Sequence, residues 1–159
     1  MRWHSLSSGE WMRAVLVGLG VSLLTAIVMV TLLKAGVSPL PKPLGLAFAQ
    51  TVLHRAVPLP VGLAFHAAWV TTWSVIYVGL FRDDLTFLRA LWLAIGLWLL
   101  VLVAFFPVVG WGFFGLAVSP KLIVASAFPH FLFALFVWSL SRWTFAPREM
   151  AASQERSAV

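Results

Sequence analysis

The chain has 159 residues, 62% hydrophobic and only 10% charged, with a mean hydropathy of +0.99. Soluble domains average about 45–50% apolar and about 25% charged residues, so water cannot solvate this surface and lipid must cover much of it. The net charge of +6 would point to nucleic acid in a soluble protein, but the basic residues stand singly at the ends of apolar runs, where they anchor helices at lipid headgroups, and nucleic acid is set aside as a partner. There is no cysteine, which excludes disulfides, thiolate metal sites and thiol redox chemistry.

A spanning helix needs about 20 mostly apolar residues. The first such stretch is 14–33, between Arg13 and Lys34. It is too long for a signal-peptide core and ends in Leu32-Leu33-Lys34 instead of a small-residue cleavage site. Ala14, Gly18, Ser22 and Ala26 recur along it every fourth position, a face that lets another backbone approach, within the chain or in a homodimer.

The first connection opens with Ser38-Pro39-Leu40-Pro41-Lys42-Pro43, which cannot be helical. From Leu44 to Val57, Gln50, Thr51, His54 and Arg55 share one helical face, and Ala49, Val52, Leu53 and Ala56 the other, which predicts a short amphipathic helix at the membrane surface. The second span, 61–81, carries His66. Ala64, Ala68 and Thr72 form another small-residue stripe, and Trp69, Trp73 and Tyr77 form an aromatic stripe that belongs to packing or to a cofactor or lipid pocket.

The third span, 90–106, is shorter and ends before Pro107. Residues 107–120, with Gly110-Trp111-Gly112-Phe113-Phe114-Gly115, are too apolar for an aqueous loop and predict an interfacial or shallow re-entrant segment with its aromatics at headgroup depth. The fourth span, 122–141, carries His130. The expected architecture is an all-α membrane protein: one domain over 1–147, a bundle of four transmembrane helices with an interfacial helix between the first two, and a disordered cytoplasmic tail at 148–159.

Orientation follows from basic residues near the span ends. Arg2, Arg13, Arg82, Arg89, Arg142, Arg148 and Arg156 lie on one side, and Lys34, Lys42, Arg55 and Lys121 on the other. Seven against four places both termini in the cytoplasm, with Lys42, Arg55 and Trp111 outside.

Ionisable groups inside a membrane are a functional hypothesis by default, and only His66 and His130 qualify. The absence of intramembrane carboxylates weakens a proton pump, a sodium carrier and di-iron chemistry. At about 1.5 Å per residue the two histidines lie about 7.5 and 12 Å from the outer helix ends, which predicts that the second and fourth helices are neighbours. In that arrangement the rings join helices, to each other or through Thr71, Thr72 or Ser126, in bonds worth about 0.6 kcal/mol. The alternative is a cofactor-binding pair, one b-type haem between His66 and His130. A pH-sensing role is a further reading. Neither a catalytic triad nor a phosphate loop is present; Gly110, Gly112 and Gly115 match a dinucleotide spacing but lack the preceding strand and the acidic residue.

Several motifs together resemble the YagU-like group of small bacterial inner-membrane proteins, whose molecular function is not established. They are Lys34-Ala35-Gly36-Val37-Ser38-Pro39-Leu40-Pro41, Phe65-His66-Ala67-Ala68-Trp69, Phe105-Phe106-Pro107-Val108-Val109-Gly110, and Pro129-His130-Phe131 leading to Trp138-Ser139-Leu140-Ser141-Arg142. The resemblance spans roughly 15–143 and implies a bacterial plasma-membrane location; it carries no catalytic residues across. The expectation is a non-enzymatic inner-membrane protein with a structural, accessory or stress-related role. Its partners are the bilayer and a homo-oligomer or another membrane protein. The haem module and a small oligomeric transporter or channel are the alternatives.

Overall fold

The computed structural model describes residues 6–145, so the tail at 148–159 and Arg2, Arg148 and Arg156 lie outside the described residues. The described chain is all helical, with α1 (Ser8–Lys34), α2 (Leu44–Val52), α3 (Leu59–Phe81), α4 (Phe87–Val108) and α5 (Lys121–Phe145). Every one of these except α2 is long and apolar enough to cross a membrane.

The helices outrun the expected spans for local reasons. α1 begins at Ser8 because Ser7 and Glu10 form a reciprocal capping box, with the Glu10 N–H donating to Ser7 Oγ (3.4 Å) and the Ser7 N–H donating to Glu10 Oε2 (3.0 Å). α4 does not stop before Pro107. Its backbone widens into a π-helix over Val101–Phe105, where the Phe106 N–H donates to the Val101 carbonyl, and it resumes through Val108. In a regular α-helix the Pro107 ring would meet the Val103 carbonyl four residues back, and the wider turn relieves that clash.

α1 is the central strut, packed against α3 on one side and α5 on the other. Gly18 and Gly20 face opposite ways on it. A Cβ on Gly18 would lie 2.6 Å from Thr71 Cα on α3, and one on Gly20 would lie 3.3 Å from Leu140 Cδ1 on α5. Ala14, Gly18 and Ser22 are buried, so the small-residue face expected on the first helix packs within the chain. The stripe expected on the second helix does not: Ala64, Ala68 and Thr72 are exposed, and α3 turns Val70, Ser74, Val75 and Val78 inward instead.

α4 packs on α5, whereas α3 barely touches α4 or α5. The expectation that the two histidine-bearing helices are close neighbours is therefore corrected. α1 stands between them, and the small residues that admit it are on α1 itself.

The two ends of the bundle differ. At the end with the α3–α4 turn, Arg82 pairs with Glu10 (3.4 Å) and stacks over Phe145 (4.8 Å), tying α1, α3 and α5 together. Arg89 pairs with Asp84 (2.6 Å) and lies over Phe81 (5.1 Å), and Tyr77 donates to the Thr86 carbonyl (3.0 Å). At the other end lie α2 and the 109–120 segment. The latter is a tight turn with Trp111 packed inward against Phe106 (ring centroids 5.4 Å apart) and Phe113, Phe114, Leu116 and Val118 exposed. These apolar side chains turn outward from a glycine-rich turn.

Candidate functional site

The gap between α3 and the α4–α5 pair is not filled by side chains in the half of the bundle that carries α2. It holds a cavity of about 410 Å³, within the range of small-molecule pockets, about 300–1,000 Å³. Its walls are the second half of α1 (Thr25 to Leu33), the first half of α3 (Gly62 to Trp73), Leu97, Val101 and Phe105 of α4, and Pro129, His130 and Phe133 of α5. Ser38, Leu40, Pro43, Leu44, Gly45 and Phe48 complete the lining from the first connection.

α2 is docked, not lying free on a surface. A Cβ on Gly45 would come within 2.6 Å of the Gly62 carbonyl, and one on Gly62 within 2.5 Å of Leu46 Cα, so the backbones of α2 and α3 touch at a pair of glycines. That approach pushes Phe48 between α3 and α4, where it meets Phe65 (6.0 Å) and Phe105 (4.9 Å); Phe105 in turn meets Trp69 (4.9 Å). The expected amphipathic helix is thus present but shorter and differently faced. It ends at Val52, and His54 adopts φ +51, the left-handed conformation that closes helix C-termini. Ala47 and Ala49 are buried, while Val52 and Leu53 are exposed. Lys42 Nζ donates to Gln50 Oε1 (2.8 Å), which fastens the proline-rich stretch to α2.

Both histidines line this cavity, although they arrive on helices that scarcely meet. No hydrogen bond joins them. His130 follows Pro129, whose missing N–H interrupts the ladder of α5. Its Nδ1 lies 2.7 Å from the Ser126 carbonyl of its own helix. A carbonyl only accepts, so Nδ1 carries the hydrogen, and in the neutral ring Nε2 presents a lone pair. His66 reaches the backbone of Ser22 on α1, and its Nε2 is buried with no partner.

None of the other helix-joining partners expected for the histidines bonds to them. Thr72 Oγ1 donates to the Ala68 carbonyl (2.8 Å) and Thr71 Oγ1 has no partner. Ser126 Oγ accepts from Trp98 Nε1 (3.1 Å), which also reaches the Ile123 carbonyl (3.1 Å). Trp98 is thus the side chain that joins α4 to α5, one turn before Pro129. The aromatic stripe is partly confirmed as cavity wall: Trp69 and Trp73 line it, 5.5 Å apart, while Tyr77 lies beyond its end. Trp73 Nε1, a donor, is also buried without a partner.

Sequence reasoning missed Phe48, Phe105 and the Gly45–Gly62 contact. Pro107 and Pro129, each inside or beside an apolar run, were the available signals for the irregular backbone around the site.

No Asp, Glu, Lys or Arg lines the cavity, so a charged ligand finds no counter-ion there. This bears on the haem expected between the histidines. His66 and His130 would be the residues to hold its iron, but a b-type haem also brings two propionates, and no charged lining side chain would pair with them. Haem fits these residues incompletely. No protein-family model, curated protein or solved structure matches the chain.

Proposed function

We propose that this is a multi-pass protein of the bacterial inner membrane, akin to the YagU-like group, that acts without catalysis by holding a neutral, mostly apolar small molecule between its helices. The observation that carries the reading is the cavity itself: about 410 Å³, walled by aliphatic and aromatic side chains, roofed by a docked helix and free of charged residues. An accessory role follows if the occupant is taken from the bilayer. An apolar molecule partitions into lipid first, and a binding protein with its site inside the bundle meets it there.

The test is thermal unfolding of detergent-solubilised protein with hexylbenzene. A ligand that binds only the folded state stabilises it by mass action, so the melting temperature rises with probe concentration. Ala68→Phe, which fills space from the exposed face of α3 that lines the cavity, removes the rise. An equal rise in the variant marks a micelle effect and rejects the reading.

The second reading is the b-type haem, favoured by the placement of His66 and His130 on one cavity. The same preparations decide it: a Soret band lost in both His66→Ala and His130→Ala replaces the first reading with the second.

A further inference from the structure

The polar atoms on the cavity wall are few, and their hydrogen-bonding capacities differ. Trp73 Nε1 and His66 Nε2 have no partners but are sealed from the open space, so neither is offered to a ligand. His130 Nε2, with the ring hydrogen fixed on Nδ1 by the Ser126 carbonyl, accepts when the ring is neutral. Of the lining hydroxyls, Thr25 Oγ1 donates to the Val21 carbonyl (2.7 Å), Thr72 Oγ1 donates to the Ala68 carbonyl (2.8 Å), and Ser38 Oγ accepts from the Leu40 N–H (3.4 Å). A hydrocarbon leaves the His130 lone pair unsatisfied. A ketone or ether offers it no hydrogen.

We infer that the cavity is built for a neutral lipid-soluble molecule carrying a hydroxyl on an aromatic ring, of the phenol or hydroquinone class. The hydroxyl donates to His130 Nε2. The ring suits walls made by Phe48, Phe65, Trp69, Phe105 and Phe133, whose faces and edges pack on another aromatic at 4.5–7 Å in general. The absence of charged lining residues requires the neutral form, which a phenol keeps at neutral pH (ordinary pKa about 10). This inference rests on the cavity reading above and specifies its occupant.

The experiment compares 4-hexylphenol with 4-hexylanisole, which differ by one O–H, by calorimetric titration of the detergent-solubilised full chain. One hydrogen bond is worth about 1 kcal/mol net and 1.4 kcal/mol is tenfold, so the phenol should bind roughly tenfold tighter. His130→Phe should weaken the phenol alone and bring the two affinities together. Equal affinities in the unaltered chain overturn the hydroxyl while leaving the cavity reading in place. Binding of neither probe, with no rise from hexylbenzene, overturns both. The unaltered chain decides the question even if His130→Phe does not fold.

Discussion

Gly18 makes the tightest demand on a single side chain along α1, because the missing Cβ is what lets α3 approach. A Cβ there lies 2.6 Å from Thr71 Cα, a backbone atom that cannot swing aside. Gly18→Val should destabilise the bundle by about 1–3 kcal/mol through enforced separation of the helices, while Gly9→Ala, with nothing within 4 Å, should change stability by less than about 0.5 kcal/mol. Unfolding in mixed detergent micelles, followed by circular dichroism, checks both; equal losses would show that the contact at Gly18 is not tight. Gly18 was legible from its four-residue spacing with Ala14 and Ser22 because a packing face is a property of one helix. What the spacing does not encode is which partner it meets. The same rule therefore misplaced Ala64, Ala68 and Thr72, which have the pattern but stand exposed beside the cavity. The histidines show the same division. Their standing as histidines inside apolar spans was visible, but their partners were not, since His130 turns back to its own helix and His66 to α1.

At the scale of an element, α2 shows how a short helix becomes structural. Nine residues without a side-chain cap do not hold a helix alone, so its persistence rests on the contact with α3. Loosening that contact should free it. Ala47→Cys places a thiol at a buried position in a chain with no cysteine of its own. It should react slowly with a maleimide in the otherwise unaltered protein and at least tenfold faster when Gly62→Val is added, because a Cβ at position 62 meets the α2 backbone at 2.5 Å. Labelling timed by mass spectrometry measures the ratio, and a ratio near one would mean that α2 is held by something other than the glycine contact. The proline-rich entry to α2 was readable from local rules of backbone sterics. The docking was not, because Gly45 and Gly62 belong to separate elements and neither looks unusual alone. Pro107 illustrates the converse: a strong local signal for helix termination was overridden when the turn before it widened.

Across the whole molecule the two ends differ in chemistry, and the difference bears on orientation. One end gathers Glu10, Arg82, Asp84 and Arg89 into paired charges against aromatic rings. The other carries the α2 roof, the cavity and the exposed Phe113 and Phe114. Basic residues near span ends are retained on the cytoplasmic side. Arg13, Arg82, Arg89 and Arg142 fall at the paired end, and with Arg2, Arg148 and Arg156 of the flanking termini in the sequence they outnumber the opposing basic residues seven to four, so this end should face the cytoplasm, with α2 and the cavity mouth in the outer half of the membrane. Single cysteines report this directly. Arg55→Cys, exposed in the first connection, should react with a membrane-impermeant maleimide in intact cells. Thr86→Cys, exposed at the start of α4, should react only after the cells are opened. Both sites are outside the buried core, so slow chemistry at either cannot be ascribed to packing. The reverse pattern would invert the molecule, place the cavity in the cytoplasmic half and move its source of ligand to the inner leaflet, while the helices and their contacts stand unchanged. Reaction at both sites in sealed cells would mean two orientations coexist, an outcome that the four opposing basic residues at Lys34, Lys42, Arg55 and Lys121 make the specific alternative to test.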